Sequence, residues 1–320
     1  MSRPSPSRPS PSRREVLRWG AGAGGTAVLA TLGIAVAAPA SAVGPSGSDW
    51  MAALDGGLPL TRLTIPGTHD SWCTDPANGT EWSHTQNWGL PQQLEKGIRF
   101  FDIRLNGLQG TASELGVYHD RFYQYHRFQD VLNACRDHLR RFPGEVLVMR
   151  VRNERAGGQA LGDEEFARRI GYYLDDPAMN YRSLFWTEPR WPRLGEARGR
   201  IVFVADFGNS WPVIQWSSGS NGFFRTQDTW QGVSTGQKST LVEQWFDRAF
   251  YDQGAAEMYV NFTSYANGLW PKTQAGAILP RVFRYLDARK TERIHLGIVP
   301  MDFPDFDERI VGLLIGKNFL

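Results

Sequence analysis

Leu63-Thr64-Ile65-Pro66-Gly67-Thr68-His69-Asp70-Ser71 is the stretch from which the rest of the chain can be read. A short apolar run meets a Pro-Gly break and delivers an adjacent His-Asp pair. Proline fixes φ and lacks an N–H, and glycine relaxes the backbone, so the pair punctuates an element. Histidine has an unperturbed pKa near neutrality, and one placed at a strand end is a natural proton carrier. Taken singly, such a residue is better explained as structural. Its weight comes from the other strand-like runs that end in the same manner.

Those runs cover residues 97–104, 115–119, 145–154, 200–206, 258–264 and 294–302. They are apolar, rich in β-branched residues, and most close on charged or polar ones, as buried strands of a parallel sheet do. Helical spacing lies between several of them. Phe128, Val131, Leu132, Cys135, Leu139 and Phe142 share one face, and Pro143-Gly144 stops that helix. Leu241, Val242, Trp245, Phe246 and Ala249 repeat the pattern, as does the stretch around 278–286, whereas 207–240 is loop-rich. Strands alternating with helices predict one α/β domain, a (β/α)8 barrel of the TIM type, distorted where helices are missing. A doubly wound sheet is disfavoured because no Gly-rich phosphate loop follows the first strand. Active sites of such barrels gather at the carboxyl ends of the strands. The candidates are therefore His69, Asp70, Asp102, Arg104, His119, Arg152, Asp206 and Asp302.

The 320 residues are 41% hydrophobic and 12% aromatic, a composition for a packed fold. A formal charge of +2 without a long basic run argues against nucleic acid as a partner. Residues 1–42 read as a leader. A Ser/Pro/Arg tract leads into Ser12-Arg13-Arg14-Glu15-Val16-Leu17-Arg18, a twin-arginine pattern, then a Gly/Ala-rich segment and Ala40-Ser41-Ala42, an A-x-A cleavage site. The expectation is export through the twin-arginine pathway, a secreted protein beginning near Val43, and a catalytic domain over 43–320. Export permits a disulfide between Cys73 and Cys135, but their spacing does not demonstrate one, and Cys135 also suits a buried helix stripe. No Cys/His spacing matches a zinc site. His84, His126, His138 and His295 read as structural or exposed, with His295 in mid-strand, and Lys96 and Arg99 as solvated charges.

Two histidines, an arginine and several carboxylates at one mouth suit acid–base chemistry on an anion. One imidazole deprotonates a nucleophile, the other protonates a leaving group, and an arginine fork meets the phosphate between them. A carboxylate behind the basic histidine fixes its tautomer. This logic reaches phosphodiester cleavage and does not say which histidine is the base.

The chain also resembles bacterial phosphatidylinositol-specific phospholipase C. The resemblance is carried by Ile65-Pro66-Gly67-Thr68-His69-Asp70-Ser71, Phe101-Asp102-Ile103-Arg104, Tyr118-His119, Ala197-Arg198-Gly199-Arg200-Ile201-Val202, Gln227-Asp228 and Tyr259-Val260-Asn261-Phe262-Thr263-Ser264, in the family's order. It implies a distorted TIM barrel and a phosphorus–oxygen lyase releasing diacylglycerol and inositol 1,2-cyclic phosphate. It further implies that His69 is the base for the inositol 2-hydroxyl and His119 the acid for the glycerol oxygen. Asp70 would assist His119, Asp302 would pair with His69, Arg104 would hold the phosphate, and Asp102 would support the site. Arg104 stands where calcium-using relatives bind their ion, so no metal or other cofactor is expected. Calcium use, with Asp70, Asp102 and Glu154 as the acidic cluster, is the alternative. The implied partner is phospholipid at a membrane surface, met by a monomer.

Headgroup recognition departs from the family. Arg152 stands for its inositol-binding Lys, Asp228 for its Asp and Trp230 for its stacking Tyr, but Asp206 falls where the family has Arg. The polyol is then held differently or is not plain inositol, unless Asp206 is a loop carboxylate out of register. Two other readings compete: a phosphodiesterase for a different polyol or glycerol headgroup, and a barrel that binds lipid headgroups without catalysis.

Overall fold

Strand β1 (Thr64–Thr68) is buried throughout and lies between two parallel neighbours. Thr64 pairs with Gly297 of β11 (Gly297–Met301) and Gly67 with Phe100 of β2 (Phe100–Gly107). Gly67 is required there, because a Cβ would sit 2.8 Å from Cδ1 of the Phe100 ring. The remaining strands are β3 (Leu115–His119), β4 (Phe122–Arg127), β5 (Val146–Asn153), β6 (Phe185–Trp186), β7 (Arg200–Asp206), β8 (Ile214–Gln215), β9 (Phe224–Gln227) and β10 (Met258–Asn261). In this computed structural model, which describes residues 47–252 and 256–320, they form a sheet with the order β6-β7-β5-β2-β1-β11-β10-β9. Every adjacent pair along that path is parallel. β3 and β4 make an antiparallel hairpin off β2. The leader read from residues 1–42 lies outside the described residues.

The sheet curls into a distorted (β/α)8 barrel. Among the described residues no strand pairing joins β6 or β8 to β9. Side chains and turn bonds fill that seam: Trp216 packs on Phe224 at 4.8 Å between ring centres, and the Thr226 N–H donates to the Gly219 carbonyl at 2.9 Å. The loop-rich stretch predicted over 207–240 forms this seam as far as residue 234, holding only β8 and β9. Its last residues are corrected: 235–240 are the opening turns of a helix, α5 (Thr235–Tyr251), whose first turn is capped by Ser234.

Helices α1 (Leu90–Glu95), α2 (Phe128–Arg141), α3 (Asp163–Asp175), α4 (Leu194–Ala197), α5 (Thr235–Tyr251), α6 (Pro271–Ala288) and α7 (Arg309–Gly316) cover the connections. α2 follows the predicted stripe, with Phe128, Val131, Leu132, Cys135 and Leu139 buried. Asp130 accepts from the Arg127 N–H at 2.8 Å, satisfying an orphan donor of the first turn. Cys73 and Cys135 are both buried and free, so the disulfide the sequence left open is not formed.

Three further expectations are corrected. Pro66-Gly67, expected to punctuate the first run, lies inside β1, with Pro66 level with Val299 and Gly67 with Pro300. His295 precedes β11 and is not inside it. Arg99, expected as a solvated charge, is fully buried. Its Nε donates to Glu145 Oε2 at 2.7 Å, Nη1 to the Leu94 and Ile98 carbonyls, and Nη2 to those of Gly47 and Ser48. Glu145 in turn accepts from the Ala52 N–H at 3.0 Å. A periodicity argument misses such a residue because position 99 opens an apolar strand from its polar edge. The pair ties the segment at 47–52 to the amino-terminal end of the barrel. Replacing one partner of a buried pair strands the other without compensation. Arg99→Met is expected to cost about 3–5 kcal/mol in denaturant-midpoint measurements, whereas Lys96→Met, which breaks an exposed pair with Glu308, costs no more than about 1 kcal/mol.

Candidate active site

β1 ends one residue before His69, and the His69 N–H still bonds the Met301 carbonyl of the neighbouring strand at 3.0 Å. Gln86 Nε2 donates to the His69 carbonyl at 2.7 Å. The backbone then turns sharply. Asp70 sits at φ 43, in the left-handed region that costs most residues free energy but that Asp tolerates better than most. That turn places the Asp70 carboxylate, its side chain fully buried, between two imidazoles. Oδ2 lies 3.3 Å from His69 Nε2 and 3.3 Å from His119 Nε2. His119 closes β3, which runs back along β2 from Leu115 opposite Gly107, and this hairpin brings the second histidine up to the Asp70 carboxylate.

Asp302 follows β11 and its Oδ1 lies 2.8 Å from His69 Nδ1. On the opposite side, Arg104 Nη2 is 2.7 Å from His69 Nε2. A guanidinium only donates, so Nε2 accepts, and the proton of the neutral ring sits on Nδ1 facing Asp302. Arg104 also contacts Asp70 through Nε and Asp102 Oδ2 through Nη2 at 3.2 Å. Burial works against charge on His69, but Asp70 and Asp302 outweigh it and push its pKa up to about 9. Burial likewise raises the Asp302 carboxyl, with His69 opposing. For Asp102 burial also opposes ionisation, yet Arg150 and then Arg104 hold it well below the carboxylate range.

Strand register explains the grouping. Asp102 of β2 stands level with Arg150 of β5, and one row higher Arg104 stands level with Arg152, which stands level with Asp206 of β7. Residues two apart on a strand point to the same face, so these side chains share the barrel interior. His69, Asp70, Arg104, His119 and Asp302 line a cavity of about 380 Å3 together with Arg152, Asp228 and Trp230. Asp102 lies beneath it, fully buried. Asp206 does not reach this cavity. It lines an adjoining one of about 850 Å3, which shares Arg152, Glu154, Asp228 and Trp230 with the first. Nor is Asp206 a loop carboxylate: it ends β7, and its Oδ2 takes Arg150 Nε at 3.0 Å and Nη2 at 2.6 Å.

Sequence reasoning missed Arg150, which is 4% exposed, and Lys238. The alternation in Arg150-Val151-Arg152 was the available signal, since it puts both cations on one strand face. Lys238, on the first turn of α5, is fully buried and donates to Gln227 Oε1 and the Thr229 carbonyl, each at 3.0 Å. It braces the turn that carries Asp228 and Trp230. Burial lowers its pKa to about 8, with Asp228 and Asp302 opposing.

The position of His69 between two carboxylates has a measurable consequence. Its imidazole resonances are expected to titrate near pH 9, well above a free histidine. Asp302→Asn removes one carboxylate and moves that midpoint down, readable by NMR titration; an unmoved midpoint contradicts the assignment of cause.

The model of the phosphatidylinositol-specific phospholipase C X domain matches residues 58–206. The 1-phosphatidylinositol phosphodiesterase of Staphylococcus aureus strain Newman is 30% identical over 247 residues, covering 70% of this chain and 77% of that one. Its counterpart from Listeria monocytogenes is 28% identical over 277 residues, covering 80% and 81%. The crystal structure of a pentafluoro-Phe form of the S. aureus phosphatidylinositol-specific phospholipase C superposes with a TM-score of 0.74 at 26% identity, over 86% of this chain and 98% of that one. The L. monocytogenes enzyme gives 0.72 at 24% identity, over 85% and 99%, a likeness of fold. With an ordered motif set, a matching barrel and relatives aligned over most of their length, the chain belongs to the bacterial phosphatidylinositol-specific phospholipase C family.

Proposed function

We propose that the protein cleaves phosphatidylinositol to diacylglycerol and inositol 1,2-cyclic phosphate. The observation that carries this reading is a carboxylate, Asp70, set between two imidazoles with the Arg104 guanidinium beside it. Mere binding of a headgroup needs no second imidazole at this distance, so the geometry favours the enzyme over a silent barrel.

In this mechanism the base is the neutral fraction of His69, the minor form below about pH 9, and its Nε2 lone pair is freed when the substrate phosphate takes the N–H donors of Arg104. His69 removes the proton of the inositol 2-hydroxyl, that oxygen attacks phosphorus, and His119 hands a proton to the departing glycerol oxygen. Asp302 holds the ring tautomer through Nδ1 and stabilises the imidazolium as it forms. Asp70 stabilises charge on both rings, and Asp102 keeps Arg104 oriented. In a slower second step the same pair, roles reversed, opens the cyclic phosphate with water. Arg152 and Asp228 address the polyol hydroxyls, Trp230 packs on the ring, and Asp206 acts from the adjoining cavity.

The reading is metal-independent. His69, Asp70 and Asp102 offer donor atoms within 4.8 Å of one another, the spacing of a cation site. Calcium, however, takes six to eight oxygens, and here one of three donors is an imidazole and both carboxylates already pair with Arg104. The donor set does not fit calcium, and a divalent ion would face a fixed guanidinium.

A phospholipid surface as partner is supported by the rim: Trp82, Trp230 and Trp270 are 44%, 50% and 50% exposed, and the first two line the catalytic cavity. Indole suits the headgroup region because its body is apolar and its N–H polar. We read the acting form as a monomer, secreted after removal of residues 1–42 on the twin-arginine pathway. Protein recovered from culture medium is expected to begin near Val43 by amino-terminal sequencing.

Phosphorus NMR of phosphatidylinositol with protein and EDTA tests the chemistry. A cyclic phosphodiester resonance is expected first, and a monoester later; no turnover of the lipid overturns the reading. His69→Ala and His119→Ala are each expected to lower turnover by roughly 10²–10⁴-fold with the melting transition retained.

A further inference from the structure

Arg150 has no part in the chemistry described so far, yet it is almost wholly enclosed beside the site. Its side chain is 4% exposed. Nε and Nη2 fasten on one oxygen of Asp206 at 3.0 and 2.6 Å, and Nη1 points the other way, 3.3 Å from Asp102 Oδ1. The guanidinium lies 4.1 Å over the Trp216 ring, so an aromatic face closes off one side of it. The other oxygen of Asp102, Oδ2, holds Arg104 Nη2 at 3.2 Å, and Arg104 Nη2 lies 2.7 Å from His69 Nε2. A continuous line of alternating charge therefore runs from the larger cavity to the basic histidine: Asp206, Arg150, Asp102, Arg104, His69. Asp102 Oδ2 also takes the Asp70 N–H at 3.4 Å and Arg104 Nε at 3.3 Å, whereas Arg150 is the one cation facing Oδ1 among the described residues. Displacing Arg150 therefore leaves that buried oxygen uncompensated and the carboxylate that orients Arg104 biased away from its place.

We propose that Arg150 is a positioning residue that ties the headgroup cavity to the phosphate-holding arginine, acting on catalysis through Asp102 and anchored at the cavity by Asp206. The inference rests on the functional reading above. Arg150 itself touches neither reacting group. Its planar fork is what the position demands, because two carboxylates on opposite sides must be met at once, and an ammonium is a point charge that serves one of them. Since both Arg150 contacts fall on Asp206 Oδ2, the other oxygen remains for a ligand hydroxyl, and a polyol bound there bears on the same carboxylate that anchors Arg150.

The test is steady-state cleavage of phosphatidylinositol in detergent micelles by wild type, Arg150→Met, Arg150→Lys, Asp102→Asn and the Arg150→Met/Asp102→Asn double variant, with thermal melts of each. Arg150→Met is expected to lower kcat by about 10²-fold, the scale of a misplaced catalytic group, with KM within about threefold. Arg150→Lys is expected to lose about tenfold in kcat, since one of its two partners goes unmet. In the Asp102→Asn background the Arg150 replacement should change kcat by less than about threefold, because residues acting as one unit are not additive. Losses that multiply, or a loss confined to KM, overturn the proposal and make Arg150 an independent contact. If Arg150→Met does not melt cooperatively, Arg150→Lys decides: wild-type kcat in that variant overturns the proposal. Failure of wild type to release product is a different result, which sinks the functional reading before any variant is compared.

Discussion

Everything at the mouth of this barrel depends on the Arg104 guanidinium being held among carboxylates where water is largely excluded. Two acids, Asp70 and Asp102, contact it, and His69 leans on it from a third side. In a low-dielectric interior, bare carboxylates this close together would not both stay ionised. Arg104 makes the arrangement possible, and it does so with a cation that cannot lose its proton. The same charge that keeps the acids ionised then meets an anionic substrate. A site of this kind is preorganised: its dipoles and charges are in place before the reaction, so little reorganisation accompanies charge development.

The barrel supplies that preorganisation through register. Parallel pairing of β2, β5 and β7 puts Asp102 beside Arg150, and Arg104 beside Arg152 and Asp206, as rows of side chains rather than as loop residues. Loops add what rows cannot. The left-handed turn at Asp70 aims a carboxylate sideways between two rings, and the β3–β4 hairpin carries His119 in from outside the main strand path. Lys238 does comparable work on the far wall, bonding the turn before Trp230 from the start of α5.

Much of this was legible in the chain. Apolar runs closing on polar residues located the strands, and the motif order around His69, Asp102-Ile103-Arg104, His119 and Gln227-Asp228 located the chemistry. Arg99 and Arg150 were not legible. A charged residue at the start of an apolar run or inside it reads as solvated or as noise, because periodicity registers apolar side chains and is blind to partners that arrive from elsewhere. Glu145 meets Arg99 from a distance of 46 residues in the chain and Asp206 meets Arg150 from 56. Asp206 itself reads as a reversed charge where the resembled family has Arg; in the fold it pairs with Arg150 of the neighbouring strand.

The amino-acid sequence by itself determined the strand and helix periodicities, the placing of His69, His119, Arg104 and Asp302 near strand ends, and thereby the class of chemistry. These are local properties, fixed by spacing, propensity and side-chain type. Tertiary structure decided the rest: that Asp70 stands between both imidazoles, that His69 offers Nε2 and not Nδ1 to the cavity, that two cysteines stay free, and that buried arginines find acids. Those outcomes depend on which side chains meet across strands distant in the chain, and on the loss of water that makes each meeting matter. Spacing along one strand contains neither.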